Sequence, residues 1–336
     1  MKYSIFIVFV TMLFTFPFSN IQAKTIKYDP NRKVNYTYCY SHEPQISLYP
    51  GDTVETKTYD AVNDIFQSTD KTLFPKLIID ETNPQTGPFY IEGAEAGDTL
   101  VVHIDKVKPN RSWGWGASIP YFGALAPEYK TAMVTDPAPD ILFIWNFDFD
   151  RNVAILDTPN SKIKQIEVPL KPFLGTIGTV PPAKECIRSI TPWIHGGNMD
   201  SNKLVEGTTM YFPVFEQGAL LMLGDGHANQ GDGEMGGSGI ETSMDVRFTV
   251  DLIKGKSINW PRAETDEFIM SLGSTRPLID AVRIACVDMV DWLTKDYGFD
   301  KWEAVQLIGQ AVKLEIGNVV DPNYTVGCRI DKKYLK

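Results

Sequence analysis

The stretch that most restricts the fold is Ala219 to Glu234. An apolar run, Ala219 to Leu223, passes straight into Gly-Asp-Gly-His-Ala-Asn-Gln-Gly-Asp-Gly-Glu, residues 224–234. A short apolar run bounded by glycine predicts a buried strand, and this one ends in polar side chains. The glycines between them permit backbone angles that a side chain would forbid, so several polar groups can turn toward one point. A second glycine turn, His195-Gly-Gly-Asn-Met-Asp200, carries another of the chain's four histidines.

Imidazole and carboxylate together are the ligand set of zinc and its divalent neighbours. Asp225 and His227, two apart on a strand-like segment, share a face, and His195 can supply a third ligand from its own loop. Three protein ligands with one position left for water is the arrangement of catalytic zinc. Zinc is therefore the first choice, with Glu234 or Asp232 as general base and Asp200 as the alternative. Asp60 and Glu92, each at a strand end, are further candidate ligands. A strand-end carboxylate is ordinarily solvated, and a buried one is costly unless paired or ligating.

A lone histidine in a glycine turn is more often a hydrogen-bonded loop residue, but two histidines among this many acids point to a metal. Gly231-x-Gly233-x-x-Gly236 fits a dinucleotide fingerprint, yet the following residues, Gly239 to Val250, read as strand and no βαβ unit is present. Gly224-Asp-Gly-His is similar to metallophosphatase loops, which sit in alternating α/β sequence, unlike this one. Asp225 to Glu234 lacks the EF-hand spacing but is oxygen-rich enough for a structural calcium.

Residues 1–23 read as a secretory signal peptide: Lys2, an apolar run Ile5–Phe18, and a small residue, Ala23, at the cut. The run is shorter than the roughly 20 residues that span a bilayer. A secreted or periplasmic protein is expected, with no membrane association after the leader is removed. The net charge of −10 and the lack of a basic cluster argue against nucleic acid. Cys39, Cys186, Cys286 and Cys328 leave room for a disulfide, whose connectivity spacing does not reveal. Cys286, on a helical apolar stripe, is expected as a buried thiol.

Residues 24–190 form an N-terminal β region. In both Ile46–Asp60 and Phe89–Ile104, a strand is followed by a turn and a Gly-Asp-Thr that leads another strand, a hint of duplication. The aromatic stretch Trp113 to Leu125 can serve as pocket wall, lid or loop packing. Residues 191–336 add the metal loops, an alternating strand over Ile240–Leu252 and two helices. The first helix has its stripe from Leu278 to Leu293, and the second runs from a capping box at Asp300 to Gly317. The fold class is mainly β, a sandwich or jelly roll of duplicated construction with two C-terminal helices packed on the β core, forming one compact catalytic unit. The helices cover the core or a subunit contact; a homo-oligomer is expected.

Four passages, Thr86 to Asp98, Gly175-Thr-Ile-Gly178, His195 to Asp200 and Leu223 to Glu234, resemble the acetamidase/formamidase family as an ordered set. The resemblance runs from Gln45 to the C-terminus. It implies a mostly β enzyme that hydrolyses the C–N bond of small linear amides with a bound divalent metal. Asn198 or Gln230 would then orient the amide. Two rivals stand beside this reading: an exported, metal-stabilised sandwich that binds a sugar or other small ligand without turnover, and a metallo-hydrolase of esters or cyclic amides.

Overall fold

The computed structural model describes residues 23–125 and 139–336; the expected leader lies outside them except for Ala23. Two large sheets organise the chain. One has nine strands in the spatial order Thr25–Lys27, Thr53–Lys57, Met244–Ile253, Thr99–Pro109, Thr209–Pro213, Arg262–Glu264, Phe268–Thr275, Tyr324–Asp331 and Lys313–Asn318. The path of the other runs Gln165–Pro169, Val153–Asp157, Ile141–Asp148, Trp113–Ser118, Glu241–Thr242, Leu221–His227, Phe173–Gly178 and Gly196–Asn198. Gln85–Ile91 also pairs with Leu221–His227 and carries Ile46–Leu48 on its far side.

Alternation fixes which face each strand buries. Along Met244–Ile253, Met244, Val246, Phe248 and Val250 are buried while Asp245, Arg247 and Asp251 face water, the pattern of a half-covered antiparallel strand. These side chains meet Leu100, Val102 and Ile104 of their own sheet and Phe89, Leu174, Leu221 and Leu223 of the other. The Phe89 and Phe248 rings lie 5.4 Å apart across this interface. The sheets are therefore the two halves of a sandwich, and each fully buried side chain contributes roughly 1.5–3 kcal/mol.

The two Gly-Asp-Thr turns do the same job. Asp52 Oδ2 accepts a hydrogen bond from the Tyr49 amide at 2.9 Å, and Asp98 Oδ2 from the Glu95 amide at 2.8 Å. In both places the strand before the turn belongs to the ten-stranded sheet and the strand after it to the nine-stranded one. The duplication is thus a repeated crossing between layers.

Helices α1 (Leu278–Tyr297) and α2 (Lys301–Ala311) cover the outer face of the nine-stranded sheet. Ala285, Met289, Trp292 and Leu293 pack on Ile269, Cys328 and Ile330. Gly298, with φ +72°, ends α1, and Asp300 Oδ1 caps α2 by accepting from the Trp302 and Glu303 amides. Two sequence expectations need correcting. The second helix stops at Ala311, because Lys313–Asn318 pairs with Tyr324–Asp331; an available strand edge overrides helix propensity. The strand expected over Ile240–Leu252 is two strands, Glu241–Thr242 in one sheet and Met244–Ile253 in the other, with Ser243 between them. Among the described residues no helix is long and apolar enough to cross a membrane. Cys39 and Cys186 form a disulfide between the paired strands Thr37–Cys39 and Cys186–Arg188; Cys286 and Cys328 are free.

Candidate functional site

Leu221–His227 places the first two functional side chains by changing phase. Leu221 and Leu223 point into the sandwich core, and a Cβ at Gly226 would strike Met244 of the same core. Strict alternation from Leu223 would put position 225, not 226, on that side. The switch falls at Asp225, whose φ is +55°. Asp225 and His227 are thereby turned away from the core, into a cavity of about 340 Å³. Asp200 and Glu234 also adopt left-handed backbone, at φ +46° and +50°. Such angles cost of order 1–3 kcal/mol for a residue with a side chain and gather where a site demands them.

Neighbouring strands complete the floor. In register, Glu241 stands opposite His227, and its Oε2 lies 3.0 Å from His227 Nε2. Asp225 Oδ1 is 3.6 Å from the same nitrogen. Asp200, Glu234 and His227 form a second group, and in each group the polar atoms lie within 4.8 Å of one another. Asp321, from the loop joining Lys313–Asn318 to Tyr324–Asp331, reaches the cavity wall. All five acids and the imidazole are buried, and among the described residues no lysine or arginine lines the cavity.

Asn198 ties the acids together. Its Nδ2 donates to Asp200 at 2.8 Å and to Asp321 at 2.7 Å, while its Oδ1 accepts from Asn83 and Thr176. Asn83 and Thr176 also donate to Asp225 Oδ2. Gln230 locks the imidazole. Its Nε2 donates to the backbone oxygens of Asp200 and Gly317, which leaves Oε1 to accept from His227 Nδ1 at 2.7 Å. With Nδ1 donating, a neutral ring presents the Nε2 lone pair to the Glu241 carboxylate.

Two acceptors 3.0 Å apart repel, so a proton or a cation belongs between them. Further atoms ask for the same thing: Asp200 Oδ1 and Asp225 Oδ1 are buried and accept no hydrogen bond. Burial pushes the Asp200 and Glu234 carboxyls well above the carboxylate range, and neighbouring acids add to it. Glu241 and Asp321 are each lifted to about 7, again chiefly by burial. Burial would lower His227, but Glu241 and Asp225 outweigh it and hold the ring above its ordinary value. Uncompensated, buried ions cost several kcal/mol each. Gly175 leaves room for the cluster: a Cβ there would lie 2.5 Å from Asp200 Oδ1 and 2.6 Å from Asp225 Oδ2. The donor set, the orphaned oxygens and this space suit a divalent cation.

Asp200, Asp225, His227, Glu234, Asn198 and Gln230 are brought together here; the other sequence candidates are not. His195 lies outside both groups. Its ring packs edge-on against Tyr38 at 4.9 Å, neither nitrogen has a hydrogen-bond partner, and burial lowers it to about 3. Asp60 is paired with Arg111 at 2.7 Å and accepts from the Trp115 indole. Asp232 is exposed and bonds Asn202 and Lys203. Glu92 is partly exposed and lines no part of the cavity. Asn198 and Gln230, expected to orient a substrate, are engaged with the acids and the imidazole instead. Glu241 and Asp321 escaped the sequence reading. Glu241 sits at the start of an alternating stretch with several other charges, and Asp321 in a loop far from any glycine-jointed motif.

The comparisons with known proteins agree with this architecture. The family model described as Acetamidase/Formamidase family matches residues 38–184 and 182–333. A crystal structure of an acetamidase from Yersinia enterocolitica superposes with a TM-score of 0.85 at 38% identity, covering 94% of each chain. An acetamidase of Mycolicibacterium smegmatis is 27% identical over 67% of this chain and 72% of its own length. A formamidase of Methylophilus methylotrophus is 27% identical over 71% and 73%. The chain belongs to the acetamidase/formamidase family and is an amide hydrolase.

Proposed function

We propose that the protein hydrolyses linear primary amides to a carboxylic acid and ammonia, using a divalent cation held by Asp225, His227 and Glu241. The observation that carries this reading is the set of the His227 ring, its Nδ1 held by Gln230 and its Nε2 aimed at Glu241 and Asp225 on the cavity floor. Asp200 and Glu234, grouped with the same imidazole, offer further oxygens nearby. When bound, a divalent ion supplies Lewis acidity and makes water ionisable near neutral pH.

The remaining chemistry falls to side chains of the cavity wall. Glu234 takes a proton from the attacking water as its oxygen adds to the amide carbon. It returns that proton to the nitrogen as the C–N bond breaks, so ammonia leaves and the carboxylic acid keeps the second proton of the water. Burial raises the proton affinity of Glu234, which suits a group that must take up a proton and hand it on. Asn198 spreads the charge of Asp200 and Asp321 and keeps both carboxyls facing the cavity.

An ammonia-release screen over small amides, with and without chelator, tests the reading. Glu234→Gln is expected to lower kcat roughly 10²–10⁴-fold with metal content unchanged; full turnover in that variant would pass the role to Asp321. Export is also proposed, supported by the leader-like residues 1–23 and by the Cys39–Cys186 disulfide, a bond that persists in oxidising compartments. Mass spectrometry of the protein from its native cell is expected to find Lys24 at the N-terminus; an intact Met1 would overturn this.

A further inference from the structure

The cavity has two unlike ends. The acids, His227, Asn83 and Asn198 make one; the other is walled by Phe66, Leu77, Ile79, Trp115, Tyr121 and Phe122. Its volume of about 340 Å³ falls in the roughly 300–1,000 Å³ range of sites that enclose drug-sized ligands. Acetamide, with four non-hydrogen atoms, would occupy the polar end and leave the apolar wall facing water.

That wall is built in two parts. The inner part is rigid. Phe66 meets Trp115 edge to face at 5.0 Å and Phe74 at 5.1 Å, and the Trp115 indole is tied to Asp60. The outer part is exposed: Ile79, Tyr121 and Phe122 leave 59%, 72% and 42% of their surface in water. Phe122 rests on Gly237, where any Cβ would come within 2.7 Å of the ring. Large apolar side chains left open around the mouth of a cavity gain most when a ligand covers them. The apolar wall, with no lysine or arginine among the described lining residues, offers no partner to a charged acyl tail.

We infer that the preferred substrate is an uncharged primary amide whose acyl group carries an apolar body of aryl or medium alkyl size, seated against Phe66, Trp115, Ile79 and Phe122. This rests on the amidase reading proposed above. The amide sits over the acids, and the apolar group fills the outer end of the cavity. Acyl size, rather than the amide alone, then sets kcat/KM, because the contact is made from binding through the transition state.

The test compares ammonia release from acetamide, hexanamide, phenylacetamide and the charged succinamate on the purified protein, its metal retained. Phenylacetamide and hexanamide are expected to exceed acetamide at least tenfold in kcat/KM, with succinamate below all three. In Phe122→Ala and Ile79→Ser, both at exposed positions that fold tolerates, the phenylacetamide-to-acetamide ratio is expected to fall about tenfold, the order that pocket contacts of this size supply. Acetamide turned over as well as phenylacetamide, or an unchanged ratio in both variants, overturns the inference and leaves the amidase reading standing. No ammonia from any of the amides sinks the reading beneath it as well.

Discussion

Gln230 shows what a single side chain decides in this site. Two backbone carbonyls fix its amide, its oxygen fixes the His227 proton, and that proton fixes which ring nitrogen meets the acids. In Gln230→Leu the ring loses its orienting acceptor, and divalent-ion affinity is expected to fall 10–100-fold, read by metal titration; unchanged affinity would show that the ring needs no such support. His195 gives a second prediction, about stability. Its folded value of about 3 lies below the ordinary 6.5, so below pH 6.5 the unfolded chain takes up a proton that the folded chain refuses. Stability is therefore lost as pH falls from 6.5 toward 3, by about 2 kcal/mol at pH 5. In urea unfolding at pH 8 and pH 5, the wild type is expected to lose that much more than His195→Phe; parallel losses would contradict it. The two histidines looked alike in sequence, each in a glycine turn. What separates them is Glu241 opposite one, from the next strand along the chain, and Tyr38 beside the other, from a distant strand.

At the scale of elements, the site is a defect in a regular sheet. The left-handed backbone at Asp225 turns its strand by one position, and Gly175 on the adjacent strand leaves the gap into which Asp225 and Asp200 point. Gly175→Ala puts a Cβ into that gap, so metal binding is expected to fall at least tenfold. Wild-type metal content in the folded variant would show that the carboxylates can retreat. The glycines of 224–234 advertised this region, since an apolar run ending in Gly-Asp-Gly-His has few other uses. The phase change itself was not legible, because period-2 alternation from Leu221 also puts Asp225 and His227 on one face. It names the wrong face, the one that holds the core. The second helix was overextended for a related reason: Lys313-Leu-Glu-Ile can be helix or strand, and only the edge of Tyr324–Asp331 decides.

Across the whole molecule, the two functions of the fold are on opposite sides. The helices close the outer face of the nine-stranded sheet, while the cavity opens on strands of the other. Strands from residues 24–190 and 191–336 are mixed within both sheets, and the acids after Gly196–Asn198, on Leu221–His227 and in the Asp321 loop meet only once the sandwich is assembled. That explains why the β architecture and the glycine-jointed strand could be read from the sequence while two of the five acids, Glu241 and Asp321, could not. The central claim is that Asp225, Glu241 and the His227 imidazole, within a cluster of five buried carboxyls, hold a divalent ion. Elemental mass spectrometry of the purified protein beside Asp225→Asn/Glu241→Gln tests it most directly. The wild type is expected to carry about one divalent ion per chain and the double variant to lose it. A wild type that is folded, active and free of divalent metal would contradict the claim.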